Sequence, residues 1–209
     1  SSGAGSGELA AISAAEEDAA EPRDTGLIEI DLGRTFPSLG LFGEGGVLQP
    51  QLREVLHVYC TLPDSLPYRQ GMSHLAAVLL LHLRSPHRTC VSLCALISGY
   101  PILRACVSHH VGPAVAFFEA TLAQQLPAVA THLGELGVPT DLYLLPWLLT
   151  MFSRALPLSL ACRIWDRVLL DGEAELFRAA LALLKQLQPR LLAADFEQAV
   201  HLLHHLPLL

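Results

Sequence analysis

Met72-Ser73-His74-Leu75-Ala76-Ala77-Val78-Leu79-Leu80-Leu81-His82-Leu83 is apolar almost all the way round a helical wheel. A surface helix shows one apolar stripe, whereas a helix without a polar face has to be enclosed by others. The segment 72–83 is therefore expected to be the central, buried helix, and its neighbours have to supply the enclosure. On its N-terminal side, 49–62 carries Leu52, Val55, Leu56 and Tyr59 at three- and four-residue steps and stops at Pro63. On its C-terminal side, Val111, Val115, Phe118, Leu122 and Leu126 form one stripe, and Leu142, Leu145, Leu149 and Phe152 another. Pro146 falls inside the latter and belongs near the start of that helix or at a kink.

Further helices are expected over 24–34, 87–98, 158–170, 173–187 and 195–206, the last turning Phe196, Val200, Leu203 and Leu206 inward. No segment alternates with period two, and Leu and Ala dominate over Ile and Thr, so the fold class is all-α. No fixed-period repeat is present, which excludes a solenoid and leaves an irregular multi-helix arrangement. Residues 1–7 are Ser/Gly-rich and 8–20 Ala-rich with acidic residues, so 1–23 reads as a flexible lead with a possible isolated helix.

With 209 residues, 52% of them hydrophobic and 16% charged, the chain can bury a substantial core. Its net charge of −7 provides no basic footprint for nucleic acid or anionic lipid. An acidic partner surface would be repelled unless arginines are concentrated locally. The five cysteines (Cys60, Cys90, Cys94, Cys106, Cys162) are odd in number and sit in apolar helical contexts, which points to a reducing compartment. The longest apolar run, Leu75 to Leu81, is far short of the roughly 20 residues that span a bilayer. No signal-peptide pattern is visible, and the expected location is cytoplasmic.

Two short segments carry chemistry. In Ile28-Glu29-Ile30-Asp31-Leu32-Gly33-Arg34, the helix is expected to end near Gly33 and Arg34, because Pro37 follows and a cation suits the last turn. Asp31, at i−3, can hold the guanidinium or a neighbouring backbone amide. In Tyr68-Arg69-Gln70-Gly71, a turn precedes the central helix; Gly71 permits a sharp entry and close approach by a partner, and Tyr68 can anchor while Gln70 projects. The first amides of the following helix form an anion-facing feature. A planar five-donor cation and a neutral amide that donates and accepts are what phosphoryl transfer to water requires. Taken singly, each also reads as an ordinary residue: a helix-terminal arginine in a local ion pair, and a polar turn cap.

Other constellations fall short. Gly43-Glu44-Gly45-Gly46 lacks the Gly-Lys-Ser/Thr of a phosphate loop and reads as a turn. Cys90 with Cys94, and His201 with His205, lack the ligand count of a zinc site. Ser73-His74 lacks the elbow of a serine hydrolase.

In combination and order, Ile28-x-x-Asp31-x-x-Arg34 and Tyr68-x-Gln70-Gly71-Met72 resemble the TBC domain of Rab GTPase-activating proteins. Downstream, Pro139-Thr140-Asp141-Leu142-Tyr143-Leu144-Leu145-Pro146-Trp147, Phe152-Ser153-Arg154-Ala155-Leu156-Pro157-Leu158 and Arg163-Ile164-Trp165-Asp166 look like the same domain's C-terminal half, so the resemblance covers about residues 26–206. It implies a V-shaped, two-lobed all-helical domain over 24–209, with both fingers in the lobe 24–110 and a second lobe over 111–209. It implies an arginine finger at Arg34 and a glutamine finger at Gln70, the latter replacing the GTPase's own water-orienting Gln. Ile28, Asp31, Tyr68 and Gly71 would be supporting or GTPase-binding residues, and Trp165 and Asp166 structural ones.

The implied partner is a GTP-loaded Rab, with no nucleic acid, and with a membrane reached only through the Rab. The implied role is activation of GTP hydrolysis in vesicle trafficking; the domain would have no cofactor or metal of its own and would act on the GTP and Mg held by the partner. The alternative is a non-catalytic Rab-binding scaffold, against which the presence of both Arg34 and Gln70 weighs. One departure stands out: where the family carries Arg-x-x-x-Trp upstream, Arg23 is followed by Leu27.

Overall fold

The computed structural model describes residues 25–206, and the expected lead over 1–23, with Arg23, lies outside them. Among the described residues there are eleven α-helices and no strand: α1 Thr25–Arg34, α2 Gln49–Thr61, α3 Met72–Leu83, α4 Pro86–Gly99, α5 Pro101–Val107, α6 Gly112–Gln125, α7 Pro127–Glu135, α8 Thr140–Leu149, α9 Leu158–Asp171, α10 Ala174–Leu191 and α11 Phe196–His204. A 3-10 turn, Pro37–Leu39, follows α1. Proline opens α2, α4, α5, α6 and α7 in the first two positions, where its missing N–H is not needed.

The all-round apolar segment behaves as its composition requires. α3 packs against α1, α2 and α4, and Met72, Leu75, Ala76, Ala77, Val78 and Leu80 are buried. The stripe on α6 also turns inward at Phe118 and Leu122.

Two expected faces are corrected. In α8 the buried side is Tyr143, Leu144, Trp147, Leu148 and Leu149; of the expected stripe Leu149 and Phe152 are buried, while Leu142 and Leu145 are only partly so. The Trp147 indole fixes this rotation, because its Nε1 donates to the Leu203 carbonyl of α11 at 3.1 Å. In and just after α11, Leu203 and Leu206 are buried and Val200 partly so, as expected, whereas Phe196 is exposed and Ala199 is buried. Asp195 and Gln198 form a reciprocal capping box there, which places Phe196 in the solvent-facing first turn.

The core is continuous from Ile28 to Leu206. The halves on either side of residue 110 meet where α5 packs on α8 and where Glu173 Oε2 accepts from the Ile102 N–H at 2.8 Å. That carboxylate satisfies a first-turn amide that α5 leaves open. No single described helix is long and apolar enough to cross a membrane.

Candidate functional site

Arg34 occupies the last turn of α1, where the helix dipole favours a cation. Ile28, Leu32, Thr35 and Phe36 are buried around it while Arg34 itself is exposed. Phe36 takes a left-handed backbone (φ 45°) that turns the chain into the Pro37–Leu39 turn. Among the described residues no carboxylate lies within ion-pair distance of Arg34.

Asp31 does not hold that guanidinium. It is only 3% exposed, and its Oδ2 accepts from the Tyr68 hydroxyl and from the Gly71 N–H, each at 2.7 Å. A buried carboxylate without a cation is costly unless hydrogen bonds replace its water, and these two do so. Thr35 Oγ1 donates to the Asp31 carbonyl at 2.7 Å and lies 2.8 Å from Ser73 Oγ of α3. Helix α1 is thereby fastened to the turn that carries Gln70. Burial, and then the adjacent Asp31, hold the Tyr68 phenol well above its usual range, so it remains a donor.

Gln70 is exposed between two buried residues, Tyr68 and Gly71. Gly71 has φ +103°, and a Cβ there would sit 3.3 Å from Thr150 Cγ2. The close approach that Gly71 permits is thus made by the molecule's own C-terminal half, not by an outside partner. The anion-facing reading of the amides needs the same correction. The Gly71 N–H serves Asp31, the Met72 N–H the Arg69 carbonyl (3.0 Å), and the His74 N–H the Gly71 carbonyl (3.1 Å). Ile28, Asp31, Tyr68 and Gly71, the residues expected to support the fingers or bind the GTPase, are all buried.

Truncating the anchor tests this arrangement. Asp31→Ala leaves a buried hydroxyl and a buried amide without an acceptor, at about 1–3 kcal/mol each. Chemical denaturation is expected to show a loss of about 2–6 kcal/mol in unfolding free energy; an unchanged midpoint would mean the carboxylate is not the link.

Sequence reasoning missed the support beneath Gly71. After α8, Met151 and Phe152 both adopt left-handed conformations (φ 45° and 65°) while fully buried. The turn is held by the Phe152 N–H to the Trp147 carbonyl (2.8 Å), Ser153 Oγ to the Thr150 carbonyl (2.7 Å), and Trp165 Nε1 to the Met151 carbonyl (3.2 Å). Trp165 is structural as the resemblance implied, whereas Asp166 is exposed on the same helix.

His74 is buried edge-on to Phe36 at 5.2 Å. Burial above all, with Arg154 adding and Asp31 opposing, pushes its imidazole down to about 4. An unfolded imidazole titrates near 6.5, so as pH falls the unfolded chain takes the proton first. Stability is therefore full above about pH 6.5 and declines progressively towards pH 4. That shift corresponds to roughly 3 kcal/mol from this one group. Denaturation at pH 7.5 and 4.5 is expected to show a steeper loss for wild type than for His74→Gln; parallel losses would remove His74 as the source.

The described residues contain no group of three or more His, Cys, Asp or Glu side chains arranged to hold a metal ion, and Cys90, Cys94, Cys106 and Cys162 are free thiols. The candidate site is therefore an exposed guanidinium and an exposed carboxamide on two segments tied together by one buried carboxylate.

This all-helical arrangement belongs to a known class. The Rab-GTPase-TBC domain family matches residues 11–192, and the chain belongs to that family. It is 38% identical over 202 residues to TBC1 domain family member 14 of Bos taurus, covering 96% of this chain and 28% of that protein. It is 38% identical over 183 residues to TBC1 domain family member 12 of Xenopus tropicalis (87% and 27% covered). Drainin of Dictyostelium discoideum is 35% identical over 194 residues (90% and 43% covered). The chain thus spans less than half the length of these relatives. Among solved structures, the Chlamydomonas flagellar RabGAP TBC domain superposes with TM-score 0.75 at 23% identity, covering 94% of this chain and 65% of the other. The Ypt/Rab-GAP domain of Gyp1p superposes with TM-score 0.71 at 16% identity, covering 96% and 73%. At those identities the likeness is one of fold.

Proposed function

We propose that this domain stimulates GTP hydrolysis by a Rab-type GTPase, inserting Arg34 and Gln70 into the partner's nucleotide site. Gln70 accepts a proton-bearing contact from the attacking water and donates to the phosphate, which aligns the water oxygen with the γ-phosphorus. As the new P–O bond forms, the bond to the β–γ bridging oxygen breaks, releasing GDP and inorganic phosphate. Arg34 neutralises the charge that gathers on the transferring group and the leaving oxygen. The GTP and its magnesium ion belong to the GTPase. On this reading the domain works in the cytoplasm, touches membranes only through its partner, and regulates vesicle traffic.

The observation that supports the reading best is the Asp31 anchor, which links the helix bearing Arg34 to the turn bearing Gln70 while both tips stay exposed. A binding-only module has no use for a guanidinium and an amide held this way. The test is phosphate release from a panel of GTP-loaded Rab GTPases with and without the domain. Acceleration of at least one is expected; binding without acceleration of any would make the domain a scaffold.

A further inference from the structure

We infer that Arg154, seated in a notch with His204 and His205, is a docking residue that receives a carboxylate side chain from the GTP-loaded partner. The inference rests on the proposed function and adds a contact on the C-terminal half of the domain.

Arg154 lies near both finger segments. It leaves the Thr150–Ser153 turn whose Thr150 methyl lies against Gly71, the residue after Gln70. It also lies close enough to His74 to disfavour protonation there, and His74 packs on Phe36, two residues beyond Arg34.

The notch around Arg154 presents imidazole and indole rings and no carboxylate. Exposed Arg154 has no ion-pair partner among the described residues, as Arg34 has none; what sets it apart is the notch it lines. Burial first, and then Arg154, disfavour protonation of His204. With His204 and His205, Arg154 lines a notch of about 260 Å³ walled by Pro146, Trp147 and Ala155. A water occupies about 30 Å³ of liquid, so the notch takes a carboxylate side chain with a few waters. A neutral imidazole still offers one N–H, and the guanidinium fork matches a carboxylate in two parallel hydrogen bonds. In a chain of net charge −7, this is a local concentration of donors that an acidic partner surface requires.

The experiment uses the GTPase that responds in the panel. Arg154→Glu is expected to raise KM about tenfold or more with kcat within about twofold, because the contact forms on docking and like charges then repel. Arg154→Lys is expected to recover part of the loss, and reversing one acidic residue on the partner to restore Arg154→Glu. Thermal unfolding of the variants should match wild type, since the side chain is exposed. Unchanged KM in Arg154→Glu, or a fall in kcat alone, overturns the inference. Binding measured without turnover separates it from the broader proposal. If wild type binds but does not accelerate, the catalytic reading fails, while weaker binding by Arg154→Glu still supports docking and equal binding overturns it. If wild type binds no GTPase, both fall.

Discussion

Arg34→Ala is expected to lower stimulated GTP hydrolysis by about 10³–10⁵-fold, the range over which an arginine finger acts. That corresponds to about 4–7 kcal/mol of barrier at 1.36 kcal/mol per decade. The fold has little stake in this side chain, because Arg34 is exposed and has no ion-pair partner among the described residues. Thermal unfolding should therefore be unchanged, and binding to GTP-loaded GTPase should weaken far less than kcat. Arg34→Lys separates charge from shape: an ammonium keeps the charge but cannot present a planar fork to two phosphate oxygens, so most of the loss should persist. Single-turnover phosphate release under saturating domain measures it directly. Wild-type rates from Arg34→Ala would end the catalytic assignment and leave Arg34 as an ordinary helix-terminal cation.

What the sequence discloses divides along a physical line. Helices whose identity depends on their own apolar pattern were legible: α3 spans Met72–Leu83 as expected, and α2 and α9 fall within a residue of their expected limits. The short helices Pro101–Val107 and Pro127–Glu135 were not seen, since each is held by neighbours and neither carries a full stripe of its own. α8 shows a different limit. Its residues offer two apolar faces, and the choice between them is made by Trp147 reaching the carbonyl of Leu203, a contact between residues distant in the chain. Pro146 lies well inside that helix, which then ends at Leu149 before the left-handed Met151 and Phe152. No residue preference announces a left-handed pair of bulky side chains.

The site follows the same division. Spacing placed Asp31 within reach of Arg34 or of a backbone amide, but local spacing cannot choose between them. The amide it binds belongs to Gly71, and only the packing of α1 on α3 brings that amide near. The link between Thr35 and Ser73 was not legible for the same reason, because a buried hydroxyl pair between helices leaves no periodic trace. Arg34 and Gln70 stood out through their ordered combination with the surrounding motif residues, and both are exposed.

Gln70 gives the second large effect, and its substitutions can be ordered by chemistry. Gln70→Ala removes both the acceptor for the attacking water and the donor to the phosphate. A positioned donor at a developing charge is typically worth about 10²–10³ in rate, and a loss of at least that size is expected. Gln70→Glu keeps the length and the acceptor but loses the donor and brings a negative charge toward a polyanionic group. It should be no better than alanine, although the two side chains are nearly isosteric. The fold should tolerate both changes, because the turn is held by Tyr68 and Gly71 on Asp31 and not by Gln70. The decisive arm alters the partner. If Gln70 positions the water, replacing the GTPase's own water-orienting glutamine by alanine should leave stimulation by this domain largely intact. If that replacement abolishes stimulation while Gln70→Ala retains it, the water is positioned by the GTPase, and Gln70 is a docking residue.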